Sequence, residues 1–239
     1  GGPGGAYVLD HPYVNRIVAF LENSRPDFVS VHHYGSILSS ILFTNAQRIA
    51  DVEQIFYESF IYLRQLAIQK NQPNIEIINS EYNLDTSSLY MSHLDEPFVA
   101  TWYALALINQ IKTQEVTMEL FYGGSSFFDD GGFGMWSING KLFPTYRMKK
   151  SFVKYNKKGS SILETQLYDK FINVLAVENN DGKFITIVNE KNKKNLINLK
   201  INGNFEELID LDNNETYSIL NNIVQLSLKP YDIKFLQVK

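Results

Sequence analysis

The sequence predicts an α/β fold followed by a small β domain. Up to about residue 155, short apolar runs alternate with segments that carry apolar residues at helical spacing, which is typical of a parallel sheet covered by helices. After KKGSSI, at 157–162, short strand-like runs are separated by DG, NG and NN turns, which indicate an antiparallel β-sandwich. We therefore expect a βα part over 1–158 and a β-sandwich domain over 159–239.

Composition limits the classes of protein to consider. The 239 residues are 44% hydrophobic and 20% charged, which suits one large or two modest globular domains. A net charge of -4 without a basic run argues against nucleic-acid and membrane partners. The chain has no cysteine, which excludes disulfides and thiolate metal sites. Neither GGPGG nor YGGSSFFDDGG matches a phosphate-binding motif, and we expect no cofactor and no metal.

The βα part is predicted to begin with a strand at AYVLD and to alternate from there to a final helix. Thr44 and Gln47 form a possible capping box at the start of the longest helix, and Pro97 lies in the first turn of the next. The strands are predicted at 6–10, 27–34, 74–83 and 115–123, and the helices at 13–24, 44–70, 95–111 and 145–155.

Polar and aromatic residues follow three consecutive predicted strands. In parallel βα folds the carboxyl ends of the strands form the cleft, so these side chains should meet at one rim. A carboxylate with an imidazole and aromatic rings nearby suits an oxocarbenium-like transition state, because the carboxylate attacks or stabilises the anomeric carbon while the rings stack on a sugar. The residues are His32, His33 and Tyr34, then Glu81, then Tyr122 with Gly123 and Gly124.

Four segments in order resemble one known family. They are GGP at 1–3, DFVSVHHY at 27–34, NSEYN at 79–83 and GGFGMWSINGKLFPTYRMKKSF at 131–152, followed by a small β domain. Together they resemble the later part of the family 39 glycoside hydrolases. The resemblance implies the C-terminal half, about strands five to eight, of a (β/α)₈ TIM barrel, with a β-sandwich as accessory domain.

The resemblance also implies roles for individual residues. Glu81 falls on the catalytic nucleophile of a retaining β-glycosidase of the β-xylosidase or β-glucosidase kind. His32, His33 and Tyr34 fall on a sugar subsite, with either histidine as the aligned one. Tyr122, or Phe121, stands where related enzymes have a tryptophan. Trp136 is a candidate for stacking on the sugar and equally for packing under its loop.

Half of such an enzyme is absent from this sequence. A (β/α)₈ barrel typically needs about 250 residues, and the family's acid/base glutamate follows an asparagine on the fourth strand. The Asn-Glu pairs at 189–190 and 214–215 fall in the predicted sandwich instead. We expect an N-terminal half of the same enzyme, on another chain or segment, to complete the site and supply that glutamate.

Two other functions stay open. The chain could be a non-catalytic carbohydrate-binding or structural remnant, or a βα hydrolase acting on a non-sugar substrate through another carboxylate. A serine hydrolase is disfavoured because no GxSxG occurs. Strand alternation predicts that His32 and His33 point in opposite directions, so at least one of them is structural. We expect Asp129 and Asp130 to form a turn and Trp102 to lie in the core.

Overall fold

The structure is a computed structural model that describes residues 11–34, 44–84, 96–126 and 134–239. The predicted strand at 6–10, the GGP at 1–3 and the predicted turn at Asp129 and Asp130 lie outside the described residues. The helices are α1 (His11–Asn23), α2 (Asn45–Ala50), α3 (Ser59–Gln69), α4 (Pro97–Thr113) and α5 (Pro144–Tyr155).

The longest predicted helix is interrupted. A π-helical segment, Gln54–Glu58, separates α2 from α3, and the hydroxyl of Ser59 donates to the carbonyl of Gln54 at 3.2 Å. A π-helical turn adds a residue to the α-helical repeat and so rotates the following side chains. This rotation determines which side chains of α3 face the sheet. Hydrophobic spacing alone did not reveal the π-helical segment.

The capping box at the start of α2 is confirmed. The Gln47 backbone N–H donates to the Thr44 hydroxyl at 3.3 Å, and the Thr44 backbone N–H donates to the Gln47 side-chain oxygen at 2.8 Å. Thr44→Ala is expected to lower the free energy of unfolding by about 1 kcal/mol, because one helix N–H loses its acceptor. Urea unfolding tests this, and Thr44→Ser, which keeps the hydroxyl, should lie close to the wild type.

The βα part contains a three-stranded parallel sheet in the order β1-β2-β3. Its register shifts once between the first two strands: Val31 pairs with Asn79 and His32 pairs with Glu81, so that Ser80 is the extra residue of a bulge. The Ser80 hydroxyl donates to the Val31 carbonyl at 3.3 Å and holds the bulge. The strands are β1 (Phe28–Tyr34), β2 (Glu76–Asn83) and β3 (Val116–Phe121).

One face of this sheet packs on helical segments. Tyr82 is fully buried, with its ring centroid 5.6 Å from that of Phe56 in the π-helical segment, and its hydroxyl donates to the Glu119 carboxylate at 2.6 Å. The Glu119 side chain thus lies on the same face of the sheet as Tyr82. Because side chains alternate along a strand, the residues on either side of Glu119 point away from the helices. Met118 and Leu120 are 52% and 49% exposed there. We call this opposite side the open face.

Two short strands follow β3 in the chain, and they pair with each other in parallel. The close approach between them requires a glycine: a Cβ on Gly134 would lie 2.3 Å from the backbone carbon of Ser125. The pairing therefore depends on Gly134, within the GGFG segment that carries the family resemblance. The strands are β4 (Ser125–Ser126) and β5 (Trp136–Ser137).

The C-terminal region is antiparallel. A six-stranded sheet has the order β11-β10-β13-β8-β7-β6, and a two-stranded sheet pairs β12 with β9. Apolar side chains of both sheets form one buried cluster that includes Val174, Ile187, Leu226 and Leu236. The strands are β6 (Ser161–Leu163), β7 (Ile172–Asn179), β8 (Gly182–Asn189), β9 (Asn195–Lys200), β10 (Glu207–Asp210), β11 (Glu215–Ser218), β12 (Ile223–Leu228) and β13 (Ile233–Val238).

The chain forms two compact units, 1–95 with 105–143 and 96–104 with 144–239. Neither unit ends at residue 158, where the sequence analysis placed the boundary between the two parts of the chain. The physical reason is α5, whose Phe152 and Tyr155 rings pack on Phe235 and Phe184 of the antiparallel sheet. The assignment of functional domains stays a prediction. Among the described residues, no helix is both long and apolar enough to cross a membrane.

Candidate functional site

Glu81 lies near the carboxyl end of β2, opposite His32 of β1. The Nδ1 atom of His32 is 3.7 Å from Oε2 of Glu81, and the two side chains are 30% and 27% exposed. When His32 is protonated, the two groups form an ion pair. Both side chains reach solvent, so a ligand could contact the carboxylate. The structure thus brings an imidazole and a carboxylate together at this rim, as the sequence predicted.

The bulge at Ser80 produces this pairing. In a regular strand alternate residues share a face, so Asn79 and Glu81 would point the same way. Asn79 is instead fully buried and its side-chain amide donates to Gln110 of α4 at 2.9 Å. Glu81 neighbours Tyr82, which points to the helices, so the carboxylate points away from them. Sequence reasoning missed both the bulge and the role of Asn79.

His33 faces away from Glu81. It is 1% exposed and its ring lies between those of Phe56 and Phe60, at centroid distances of 5.6 and 4.7 Å. Nδ1 of His33 is 3.5 Å from the side-chain oxygen of Asn79. Burial lowers the pKa of His33 to about 4, although the contact with Asn79 acts in the opposite direction. The two histidines therefore do point in opposite directions, and His32 is the one beside Glu81.

The βα unit is expected to lose stability as the pH falls from about 6.5 towards 4. The pKa of His33 is about 4 in the folded protein, whereas an unperturbed histidine has a pKa of 6.5, so the unfolded chain binds the proton first in this window. The stabilisation is complete above the unfolded pKa and decreases through this range by about 3 kcal/mol. Urea unfolding at about pH 7 and about pH 4.5 measures the loss.

Two variants isolate this effect. His33→Gln removes the titrating group and should flatten the pH dependence across the window. His32→Gln is the matched control, because it replaces the partly exposed histidine one position earlier and leaves the burial of His33, the main cause of its lowered pKa, in place; most of the dependence should remain. Equal pH dependence in the wild type and His33→Gln would contradict the assignment.

The aromatic residues predicted for the rim meet one another. The ring centroids of Tyr34 and Tyr122 are 6.4 Å apart in an edge-to-face arrangement. Tyr34 is 6% exposed and packs in the interior, whereas Tyr122 is 43% exposed. The Asn83 side-chain amide donates to the Tyr122 carbonyl at 2.9 Å and joins the ends of β2 and β3. Tyr122 is thus the better placed of the two rings to meet a ligand.

Trp136 is the first residue of β5, the strand that pairs with β4. A Cβ added to Gly124 would lie 3.1 Å from the Trp136 ring, so the indole covers that glycine. Trp136 as a whole residue is 36% exposed, so part of it is accessible to solvent. Packing and ligand contact, the two roles considered for Trp136 from the sequence, are therefore compatible. Trp102, in contrast, is fully buried, as expected of a core residue.

The described residues contain no group of three or more histidine, aspartate or glutamate side chains that could hold a metal ion.

The Asn-Glu pairs of the antiparallel region have structural surroundings. Asn189 is fully buried and its amide donates to the carbonyls of Lys193 and Lys229. Asn214 has φ 56° and lies in the turn before β11. Both pairs come long after Glu81 in the sequence, and neither belongs to the parallel sheet that contains Glu81.

Solved structures of glycoside hydrolases match the fold of the whole chain. They include a glucosidase from Croceicoccus marinus (TM-score 0.66, 14% identity, 60% of that chain), a monomeric β-xylosidase from Caulobacter crescentus CB15 (0.65, 14%, 61%) and a family 39 glycoside hydrolase from Xanthomonas axonopodis pv. citri (0.63, 14%, 60%). Each match covers 100% of this chain. The chain therefore shares its fold with part of these glycoside hydrolases.

Family 39 enzymes are among these neighbours, which agrees with the resemblance seen in the sequence. At this identity the likeness concerns the fold alone. No family model matches the sequence, and no curated protein matches it either. The chain spans about three fifths of the length of the three solved enzymes.

Proposed function

We propose that this chain is the nucleophile-bearing half of a retaining β-glycosidase. The observation that carries the proposal is Glu81, an accessible carboxylate at the carboxyl end of a parallel strand, 3.7 Å from His32. The whole chain shares the fold of a β-xylosidase and a glucosidase. A β-xyloside or β-glucoside is therefore the substrate class we assign. Clefts at the carboxyl ends of such strands are where these folds bind ligands.

Glu81 is assigned the role of nucleophile. Its carboxylate attacks the anomeric carbon, and the glycosidic C–O bond breaks as an acid protonates the leaving oxygen. Water, activated by the same acid in its basic form, then attacks the glycosyl-enzyme and releases the sugar and Glu81. The two carboxyl groups of a retaining enzyme lie about 5 to 5.5 Å apart. His32 orients Glu81, while Tyr122 and Trp136 line the sugar subsite.

The acid/base residue is assigned to a further polypeptide that completes a (β/α)₈ barrel. The support is the open face of the parallel sheet, where Met118 and Leu120 of β3 are about half exposed. Parallel sheets are normally covered on both faces, because crossover helices or barrel closure bury them. In the described residues β3 pairs with β2 alone, which leaves an edge for a neighbouring strand. The antiparallel region is assigned as an accessory β-sandwich.

Labelling by a 2-fluoro β-glycoside tests the proposal. The fluorine slows breakdown of the glycosyl-enzyme, so an adduct accumulates on the nucleophile. We expect intact-mass and peptide analysis to place one adduct on Glu81 in the completed assembly. An adduct on another carboxylate would overturn the assignment of Glu81.

A non-catalytic carbohydrate-binding remnant is the second candidate. The observation in its favour is that both Asn-Glu pairs of the chain lie in the antiparallel region, where Asn189 has a structural role. An intact chain that binds xylo-oligosaccharides but never forms an adduct, in any assembly, would favour this candidate.

A further inference from the structure

The bulge at Ser80 follows from how two strands face the helices. On β1, Val31 and His33 are two residues apart. Their partners on β2, Asn79 and Tyr82, are three residues apart. All four side chains are buried, and the rings of His33 and Tyr82 both pack on the π-helical segment. Residues three apart on a regular strand point to opposite faces, so β2 needs one extra residue for both to face the helices.

The strand on the other side of β2 shows the same extra residue. Asn79 pairs with Glu119 of β3 and Tyr82 pairs with Phe121, so three steps along β2 match two steps along β3. The irregularity therefore belongs to β2 and lies directly before Glu81. A bulge bends its strand, increases the local twist and changes the direction of the adjacent side chain.

Apolar burial alone would allow the extra residue at several places. Ile77 and Tyr82 are both buried and are five residues apart, which requires one extra residue anywhere from 78 to 81. If it preceded residue 79, Asn79 would point to the open face and Ser80 to the helices. Glu81 would then lie in a regular stretch of strand, with its side chain in a different direction.

A buried amide pair decides between these places. The Asn79 side-chain amide donates to the side-chain oxygen of Gln110 on α4 at 2.9 Å, and Gln110 donates to the carbonyl of Ala106 at 3.2 Å. Oδ1 of Asn79 is also 3.5 Å from Nδ1 of His33. A buried amide is costly unless it is hydrogen-bonded, so these partners hold Asn79 on the helix side. The extra residue then has to follow position 79.

We propose that Asn79 and Gln110 are positioning residues for Glu81. Their hydrogen bond places the bulge at Ser80 and thereby fixes the direction of the Glu81 carboxylate. The role of Glu81 rests on the proposed function, whereas the place of the bulge does not depend on it. A misplacement of about 1 Å can cost about a hundredfold in rate, so residues buried beneath the sheet can determine turnover without contacting the sugar.

Gln110→Leu in the completed assembly tests the proposal. It leaves Asn79 without its acceptor on the helix side, so the extra residue should move ahead of position 79. We expect kcat for an aryl β-glycoside to fall at least about tenfold while KM stays unchanged, because the nucleophile is misdirected and sugar binding is not altered. A crystal structure of the variant should show Ser80 paired with Val31.

A second substitution should reverse this effect. Asn79→Leu combined with Gln110→Leu removes both amides, and burial alone keeps an apolar side chain at position 79 on the helix side. The bulge at Ser80 and the turnover should both return. If the pair contributed only to stability, folded Gln110→Leu would keep the wild-type kcat.

The matched control is Asn109→Leu, which removes the neighbouring buried amide of α4. Asn109 donates to the carbonyl of Leu105 in its own helix at 3.0 Å. The control should keep both turnover and the bulge. Asn79→Ser replaces Gln110→Leu if the latter does not fold, because serine is too short to reach Gln110 and is small enough for either face of the sheet.

Each outcome decides a different point. A folded Gln110→Leu or Asn79→Ser variant whose bulge stays at Ser80 overturns the proposal, whatever its kcat, and leaves the assignment of Glu81 standing. A loss of kcat in Asn109→Leu equal to that in Gln110→Leu also overturns it. A 2-fluoro adduct on another carboxylate of the wild type overturns the proposed function, while the crystal structures still decide what places the bulge.

Discussion

Glu81→Gln is expected to reduce turnover of an aryl β-glycoside by at least about a thousandfold in the completed enzyme, because the amide cannot form the glycosyl-enzyme. The substitution keeps the size of the side chain and removes its charge. Glu81 is 27% exposed and forms no part of the buried core, so the fold should persist. Steady-state kinetics and 2-fluoro labelling, compared with thermal unfolding of the same samples, measure the two effects separately.

The matched control is Glu76→Gln on the same strand. Glu76 is exposed at the amino end of β2, whereas Glu81 lies near the carboxyl end. The Glu76 variant should keep both turnover and labelling. Substantial activity in Glu81→Gln, or an equal loss in both variants, would contradict the assignment of Glu81 as nucleophile.

Breaking the buried ion pair of the antiparallel region is expected to have the largest effect on stability. Lys234 and Asp210 are 8% and 0% exposed, and Nζ lies 2.5 Å from Oδ2. Burial raises the pKa of Asp210, but hydrogen bonds from Lys234 and Asn213 outweigh it and hold that pKa below the usual value. Lys234→Met should lower the free energy of unfolding by about 3 to 5 kcal/mol, because it leaves a buried charge without its partner.

A double-mutant cycle tests the pair. Asp210→Asn alone should also destabilise, whereas Lys234→Met with Asp210→Asn should cost less than the sum of the single variants. Urea unfolding supplies the four free energies. Additive losses would contradict a coupled pair. Because the folded pKa of Asp210 is lowered, its stabilisation is present above the unfolded pKa and decreases as the pH falls through the folded one.

Local signals predicted most elements of the chain. Short apolar runs indicated β1 and β2, Thr44 and Gln47 marked the start of α2, and the predicted helix at 145–155 corresponds to α5. These features depend on residues a few positions apart, which a single sequence displays. The π-helical interruption at Gln54–Glu58 does not, because its geometry follows from how the helix packs.

The candidate site likewise combines features that the sequence displays with features that depend on the fold. A carboxylate at the end of a buried strand and aromatic residues after its neighbours could be recognised from residue types and order. The distance between His32 and Glu81 depends on the bulge at Ser80, which no local pattern marks. The partnership of His33 with Asn79 joins positions 46 residues apart and follows from strand register.

The sequence by itself determined the order of elements, the two kinds of sheet and the identity of the acid at the end of β2. Only the tertiary structure decided which histidine accompanies Glu81 and that Tyr122 rather than Tyr34 is accessible. The physical reason is the distance along the chain over which each interaction acts. Propensity, capping and periodicity act between near neighbours, whereas register, burial and the width of a sheet result from contacts between segments distant in the chain.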